Sequence, residues 1–405
     1  AMPPVDDRVL AIGKAFTSGK ECSPAVFTVG SLMSYIAEKH QKTRPDEITL
    51  FFMPTASGPC RFGQYNVYMR ELVKSLGIKD VAILSPSAAD SYAGLGSGFM
   101  LAAWRCLILS DLMRDIRAIL NVVAVDRQQA MDAFETEWKR LLGGLEKGPK
   151  ATWNALEIIS GNLSRIPIKG NPREVPKVLL SGEIYVRSDE LSRRGIEDYY
   201  ADEGIMVKIA DSSEWVYYTD WHKMYRTSGN KVFPRDFLGS RYVLGQTVNW
   251  LFGSNGEGRQ YLKYRIKLAY EQHVEAKARR ILSRSGLVVT KPHHIDEIVR
   301  AGSTFINPSL MGEAILTSGS ARVAFEHGQD ERYCGVIFIG PFNCMPTGIA
   351  ESVTKPYARK SGLPLLIFET DGGPLPPNFR SQMEVHVLRS KIFAETQQKR
   401  ASQAC

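Results

Sequence analysis

The chain has 405 residues, of which 44% are hydrophobic and 23% charged, and its formal net charge is +8. This length allows two α/β domains with separate cores, and the composition is ordinary for a globular protein. No apolar run approaches the roughly 20 residues that span a bilayer and no leader segment is visible, so we expect a cytoplasmic protein without membrane association. The charge suits a solvated helix face or a phosphorylated ligand such as a coenzyme A ester. No zinc-finger or RNA-recognition signature is present, so we expect no nucleic-acid partner.

The first part of the chain reads as a strand–helix–strand unit followed by helices. "EITLFFMP" predicts a buried parallel strand, "FGQYNVYMRELVKSLG" the following helix, and "DVAILSP" the next strand. The next segment, "SPSAADSYAGLGSGF", is rich in Gly and Ser but matches no phosphate-loop spacing, so it is either a ligand-binding loop or a long connection. Helices are predicted from "FMLAAWRCLILSDLMRDIRAIL" through "ATWNALEIIS".

Proline and glycine in "KGNPREVPKVLLSGEIYVRS" predict a domain boundary near residue 170. We therefore expect residues 1–170 to form a first α/β domain with an N-terminal helix and a helical block, and residues 171–405 to form a second α/β domain. In the second domain, strands are predicted in "KVLLSGEIYV", "GIMVKIA" and "EWVYYTDW". A second strand–loop–helix–strand unit follows from Cys334 to Gly372, and the helix "NFRSQMEVHVLRSKIF" closes the fold.

Three of the six cysteines lie at predicted helix starts, beside Gly or Pro. These are Cys22, Cys60 and Cys344, with Ser23 expected as an N-cap and Pro24 in the first turn of its helix. A helix N-terminus favours thiolate over thiol and stabilises an anionic metal–sulfur cluster. Thiolates from three distant loops predict a [4Fe–4S] cluster with one iron open to a small ligand. A three-cysteine zinc site and three inert cysteines are the alternatives.

The other cysteines and the histidine pair carry weaker signals. Cys106 lies in an apolar helical stretch and is expected in the core, Cys334 is expected to pack in a strand, and Cys405 is expected to be mobile. His293 and His294 are adjacent without a partner motif, which indicates a solvated loop.

Polar residues near the cysteine loops are candidates for contact with a ligand. A carboxylate facing the cluster would carry protons during elimination chemistry, whereas each polar residue alone is more often a cap or a surface ion pair. The catalytic candidates are Glu183, Arg61 and Gln64, and the other nearby polar residues are Glu21, Ser57, Glu369 and Asp371.

With these loops identified, the chain resembles the 2-hydroxyacyl-CoA dehydratase and benzoyl-CoA reductase superfamily. It is most similar to the carboxyl-terminal part of large acyl-CoA dehydratase activase-like proteins. The segments that carry the resemblance span about residues 13 to 394 and are "GKECSP", "SGPCRFGQYNVYMRELVKSLG", "VAILSP", "GEIYVR", "WVYYTDW" and "GPFNCMPTGIAES". "GPCRFGQY" with a distant "GPFNCMP" is the specific part.

The resemblance implies an α/β fold with two flavodoxin-like parallel-sheet domains and an additional helical part. It also implies a [4Fe–4S] cluster ligated by Cys22, Cys60 and Cys344, an electron from a separate ATP-hydrolysing iron–sulfur activator, and a homodimer. Some relatives hold a double-cubane [8Fe–9S] cluster and reduce small molecules. Phosphate-binding segments of the acetate-kinase and actin type are not found, so we do not expect this chain to hydrolyse ATP itself.

These observations predict an iron–sulfur protein that accepts a low-potential electron and reduces or radically dehydrates a small substrate. An acyl-CoA ester is one candidate for this substrate. A double-cubane reductase is one alternative. A second is an electron-transfer or cluster-carrier module without its own substrate. A third is a non-redox binding protein whose cysteines are structural.

Overall fold

A computed structural model describes residues 5–41, 47–56, 58, 60–87, 95–227 and 257–404. Ser57, Cys405 and residues 88–94 of the Gly/Ser-rich segment lie outside this set. None of the described helices combines the length and the hydropathy that a membrane span requires.

The amino-terminal part contains a parallel two-stranded sheet and its flanking helices. The elements are α1 (Asp7–Ala15), α2 (Ser23–Gln41), β1 (Thr49–Phe52), α3 (Tyr65–Ser75) and β2 (Val81–Leu84). β1 and β2 pair in parallel, as the predicted strand–helix–strand unit requires. One apolar cluster joins α2, β1 and α3. The chain between β1 and α3, which contains Cys60, is therefore anchored at both of its ends.

Three helices follow, and the first of them packs on the larger sheet while the other two pack on neighbouring helices. They are α4 (Gly96–Val123), α5 (Arg127–Glu146) and α6 (Pro149–Leu163), and they confirm the predicted helical stretch. Asp126 accepts the N–H of Gln129 and so caps α5. The apolar residues of these helices belong to the same core as the strands and helices after residue 177. The hydrophobic core is therefore continuous across residue 170.

The larger sheet has four parallel strands in the spatial order β4-β3-β5-β6. These are β3 (Lys177–Gly182), β4 (Met206–Ile209), β5 (Tyr333–Pro341) and β6 (Leu365–Thr370). Two parallel sheets with helices confirm the predicted α/β class. The chain passes from β3 to β4 on one side and then to β5 on the other, so the topology reverses between β3 and β5. Ligands of open parallel sheets bind outside the carboxyl ends of the strands at such a point.

Helices surround this sheet on both faces. In chain order they are α7 (Ile184–Ser188), α8 (Glu190–Arg193), α9 (Ile196–Asp202), α10 (Ser213–Thr227), α11 (Glu257–Leu282), α12 (Ile295–Ser303), α13 (Ala314–Glu326), α14 (Gly328–Glu331), α15 (Met345–Ser361) and α16 (Pro377–Ala404). α15 lies between β5 and β6, and α16 covers the predicted closing helix, so both predictions are confirmed.

One predicted strand is wrong, because "EWVYYTDW" forms the first part of α10. Its aromatic residues suit a strand by propensity, but here they pack at helical spacing. The rings of Tyr218, Trp221 and Tyr225 stack in sequence, with centroids 6.2 Å and 5.2 Å apart. Tertiary packing of an aromatic stripe therefore overrides the local preference for β structure.

His386 on α16 gives the fold a pH dependence. Its Nδ1 lies 2.8 Å from the hydroxyl of Tyr200, and burial lowers the pKa of His386 from 6.5 to about 4. A depressed histidine pKa means that the unfolded chain binds the proton more readily, so stability falls as the pH drops from 6.5 towards 4. We expect the free energy of unfolding to fall by about 2 kcal/mol from this residue between about pH 7.5 and about pH 5. Urea unfolding of wild type and His386→Gln at both pH values measures this, and equal losses in the two proteins would contradict it.

Candidate functional site

The carboxyl ends of β3 and β5 meet at a tight backbone contact. Gly182 ends β3 with φ +125°, and a Cβ there would lie 1.9 Å from the carbonyl oxygen of Ile339. The next N–H, that of Glu183, donates to the same Ile339 carbonyl at 3.0 Å. Only glycine fits this approach. It places the Glu183 carboxylate at the point where the sheet topology reverses.

Cys344 and Cys60 both precede helices, as predicted. The Cys344 carbonyl accepts the N–H of Gly348 in the first turn of α15, and the Thr347 hydroxyl lies 3.3 Å from the Cys344 Sγ. Cys60 caps a short 3₁₀ helix, Arg61–Gln64, and its Sγ accepts the Phe62 N–H at 3.5 Å. Each thiol therefore faces N–H or O–H donors at a helix start.

Cys22 is the N-cap of α2, and the prediction that Ser23 takes this position is wrong by one residue. The Cys22 carbonyl accepts N–H groups from Ala25 at 2.9 Å and Val26 at 3.3 Å. Its Sγ lies 2.6 Å from the hydroxyl of Tyr65, at the start of α3. Burial raises the pKa of Tyr65, so the phenol keeps its proton. Sequence analysis missed Tyr65, although it ends the quoted "GPCRFGQY".

Arg61 joins the three cysteine loops. Its Nη1 donates to the carbonyl of Lys20 at 2.9 Å, and its Nη2 donates to the carbonyl of Asn343 at 2.9 Å. Lys20 is two residues before Cys22, and Asn343 directly precedes Cys344. One side chain next to Cys60 therefore ties together loops that are far apart in sequence. Arg61 thus positions these loops, and its predicted contact with a ligand stays a prediction.

The thiols of Cys60 and Cys344 are not acidic in this environment, contrary to the expectation from their helix ends. Burial raises the pKa of Cys60, although part of this residue is exposed, and raises that of Cys344 to about 12. Hydrogen bonds at the helix starts lower both pKa values but do not outweigh burial and the negative charges of Glu183 and Glu313. Deprotonation therefore requires a bound cation, which displaces the proton from a coordinating thiol.

Glu183 caps α7 and belongs to a buried acidic group. Its Oε2 accepts N–H groups from Tyr185 at 3.0 Å and Val186 at 2.9 Å, and burial raises its pKa. Glu313, directly before α13, has a pKa raised to about 8 by burial. Its Oε1 lies 3.4 Å from the Nη1 of Arg187, which is almost fully buried. Glu183 therefore lies near the thiols of Cys60 and Cys344 together with a second carboxyl group, Glu313, and its predicted catalytic role stays a prediction.

Glu214 adds a third buried carboxyl group, with a pKa raised to about 7 by burial. Arg187 is a cation that lowers the pKa of Glu183, Glu214 and Glu313 alike. Lys208 also lowers the pKa of Glu214, but with pKa values of about 7 for Glu214 and about 8 for Glu313 this acidic group retains a proton near neutral pH. Sequence analysis missed Glu214, Glu313 and Arg187, since no spacing links them along the chain.

The remaining predicted polar residues have other positions. Gln64 is exposed, and its side chain makes no capping hydrogen bond to α3. Glu21 accepts the N–H groups of Ser18 and Lys20, and Asp371 pairs with Lys14 at 2.9 Å. These two carboxylates stabilise loops, which is the ordinary role that the sequence also allowed. Glu369 is exposed on β6.

The other two described cysteines have different surroundings. Cys334 is buried and its Sγ lies 3.2 Å from the carbonyl of Lys177, which confirms its packing role. Cys106 on α4 is only half-buried, so the expected core position is not observed.

The spacing of the three thiols distinguishes two kinds of metal site. In the described part of the chain, the Sγ atoms of Cys22, Cys60 and Cys344 do not all lie within 4.8 Å of one another. A single zinc ion would need them about 3.8 Å apart, given Zn–S bonds of about 2.3 Å. An iron–sulfur cluster binds each thiolate to a different iron, so its ligands are farther apart. The three thiols therefore do not offer a ready-made site for a single zinc ion.

A cavity of about 950 Å³ lies between α4, α5 and the segment from α7 to α9, with none of the three cysteines in its wall. Four arginines line it, and each has a carboxylate partner. The pairs are Arg114–Asp111, Arg117–Glu190, Arg127–Asp202 and Arg193–Glu197. A phosphorylated ligand would have to compete with these carboxylates. The charge of this cavity therefore gives no specific support to a coenzyme A ester.

Comparisons with protein-family models, with curated proteins and with solved structures found no match to this chain.

Proposed function

We propose that Cys22, Cys60 and Cys344 ligate a [4Fe–4S] cluster in a cytoplasmic, dimeric enzyme of the 2-hydroxyacyl-CoA dehydratase type. In this proposal, a separate ATP-hydrolysing activator supplies low-potential electrons, and the chain reduces or radically dehydrates a small substrate, with an acyl-CoA ester as one candidate. When bound, the cluster supplies the electron and one iron free of protein ligands. A reducing compartment suits the free thiols and the cluster.

The observation that carries this proposal is the Arg61 bridge. It connects the loops of Cys22 and Cys344 through the residue next to Cys60. Two of the loops follow parallel strands at their carboxyl ends, where ligands of α/β proteins bind. Three cysteines with separate structural roles would not require one side chain that holds their loops together.

The buried acids support the proton chemistry of a reduction or an elimination. Glu183 and Glu313 both raise the pKa of the Cys60 and Cys344 thiols through their charge, which means that they lie near the sulfur atoms. A carboxyl group whose pKa is about 8, as for Glu313, both releases and accepts a proton near neutral pH. We assign Glu183 and Glu313 as the proton carriers of the site.

Apolar side chains beside the site support docking of the activator. Phe342 and Met345 flank Cys344 and are 62% and 47% exposed. Exposed apolar residues in one loop are typical of a protein-binding surface. A partner there would bring its own cluster close to the three cysteines, as electron transfer requires.

The test is the iron and sulfide content of the protein after anaerobic purification and reconstitution. We expect about four irons per chain and a visible iron–sulfur absorption band. Cys60→Ser should lose most of this iron, because it removes a ligand. Cys106→Ser is the matched control, since Cys106 is a half-buried cysteine on a helix away from the three loops, and it should keep the iron.

Other outcomes lead to different conclusions. No iron in the reconstituted wild type would overturn the cluster, and equal loss in both serine variants would overturn the ligand assignment. About eight irons per chain would favour a double-cubane cluster. A cluster that the activator reduces, but that binds no small ligand, would favour an electron-transfer module.

A further inference from the structure

A second cluster of side chains that could bind a metal lies near the amino end of β5, opposite to the end that carries Cys344. The packing of two helices brings this cluster together. Helices α12 and α13 pack with their backbones in contact. A Cβ on Gly302 would lie 2.2 Å from the carbonyl oxygen of Ile315, and one on Gly319 would lie 2.1 Å from that of Ile298. These pairings run antiparallel, so the start of α12 meets the end of α13. Glu297 at the start and His327 at the end therefore become neighbours.

Three side chains have potential metal-ligand atoms close to one another. One ring nitrogen each of His293 and His327 and one carboxylate oxygen of Glu297 all lie within 4.8 Å of one another. His327 Nε2 is 2.6 Å from Glu297 Oε1, and His293 Nδ1 is 3.6 Å from Glu297 Oε2. Ligand atoms of a tetrahedral zinc ion stand about 3.4 Å apart, given bonds of about 2.1 Å. Small side-chain adjustments within the half-buried cluster would therefore accommodate one ion.

Glu331 supplies the outer partner that metal-binding histidines require. Its Oε2 lies 3.4 Å from His293 Nε2, and its side chain is only 5% exposed. A His293 ring that donates its Nε2–H to Glu331 has its lone pair on Nδ1, which faces Glu297. A carboxylate that fixes the tautomer of a histidine in this way is a recurrent feature of zinc sites. This arrangement also corrects the expectation of a solvated histidine loop, which holds for the exposed His294 but not for His293.

We propose that His293, Glu297 and His327 bind one Zn²⁺ ion, with Glu331 orienting His293. Two imidazoles and one carboxylate are a donor set that zinc favours, and they leave a fourth position for water. Glu331 lies just before β5 and Cys344 just after it, so the length of this strand separates the two sites by on the order of 30 Å. The zinc site is therefore independent of the proposed cluster.

The test is competition for Zn²⁺ between the full-length protein and a chromophoric chelator. The variant Cys60→Ser/Cys344→Ser serves as the background, so that two of the three loop thiols are absent and the proposed three-cysteine site is not intact. We expect one Zn²⁺ per chain. His293→Ala and His327→Ala should each weaken binding by about 100-fold or more, and Glu331→Gln by about 10- to 100-fold. His294→Ala is the matched control, because this histidine is adjacent in sequence but exposed, and it should leave the affinity unchanged.

Cobalt substitution gives a readout that does not depend on the histidine variants. Co²⁺ bound by two histidines and a carboxylate in the background variant should show a d–d absorption band without a thiolate charge-transfer band. The proposal is overturned if the background variant fails to compete for Zn²⁺ at micromolar concentration, or if His294→Ala weakens binding as much as His293→Ala. Neither result would bear on the iron content of the three-cysteine site.

Discussion

Gly182→Ala is expected to destabilise the protein by more than about 4 kcal/mol or to prevent folding. The added Cβ would lie 1.9 Å from the backbone oxygen of Ile339, and a φ of +125° is unfavourable for any residue with a Cβ. This clash can be relieved only if β3 and β5 move apart. That movement would break the bond from the Glu183 N–H to Ile339 and the bond from Arg187 Nη1 to the Gly182 carbonyl. The substitution therefore damages the sheet and the site together.

Gly204→Ala is the matched control for this prediction. Gly204 precedes β4 and also has a positive φ, of +76°, but a Cβ there meets nothing within 4 Å. We expect only the conformational cost, about 1 kcal/mol. Urea unfolding of both variants measures the difference. A Gly182→Ala protein as stable as Gly204→Ala would show that the contact between β3 and β5 relaxes easily.

The local parts of this fold could be predicted from sequence because they depend on neighbouring residues. Apolar runs of four to nine residues between turn signals predicted β1, β2, β5 and β6, and a cysteine before each helical pattern predicted the three helix starts. The same local reasoning failed for α10. There the aromatic residues are held by stacking against one another on a helix, which no strand propensity anticipates.

The parts of the candidate site that could not be predicted from the sequence depend on long-range contacts. Glu313 meets Arg187 across more than a hundred residues, and Arg61 reaches Asn343 across 282 positions of sequence separation. Neither pair has a spacing that a sequence pattern encodes. The helix ends alone predict acidic thiols, because a helix N-terminus favours the thiolate. The opposing effect, burial among carboxylates, becomes visible only when the surroundings of Cys344 are assembled.

Arg187→Met is expected to cost about 3–5 kcal/mol at about pH 7.5, because it removes the cation paired with Glu313 and leaves buried carboxylates uncompensated. The pKa values of Glu183, Glu214 and Glu313 are already raised in the folded state. The folded protein is therefore most stable when these carboxyl groups are protonated, and it loses stability as the pH rises through their pKa values. The loss should therefore be smaller at about pH 5, where Glu214 and Glu313, with pKa values of about 7 and about 8, hold their protons.

The double variant Arg187→Met/Glu313→Gln identifies the cause of that loss. If the cost comes from an unpaired Glu313 carboxylate, its replacement by an amide should recover at least about 1 kcal/mol at about pH 7.5, and the two substitutions will not be additive. Urea unfolding of wild type, both single variants and the double variant at both pH values completes the cycle. Additive losses that are equal at both pH values would show that Arg187 acts through packing and its backbone hydrogen bonds alone. Since neither residue is a proposed ligand, iron content should persist in every variant that folds, which separates the proton-carrying acids from the cysteines that hold the cluster.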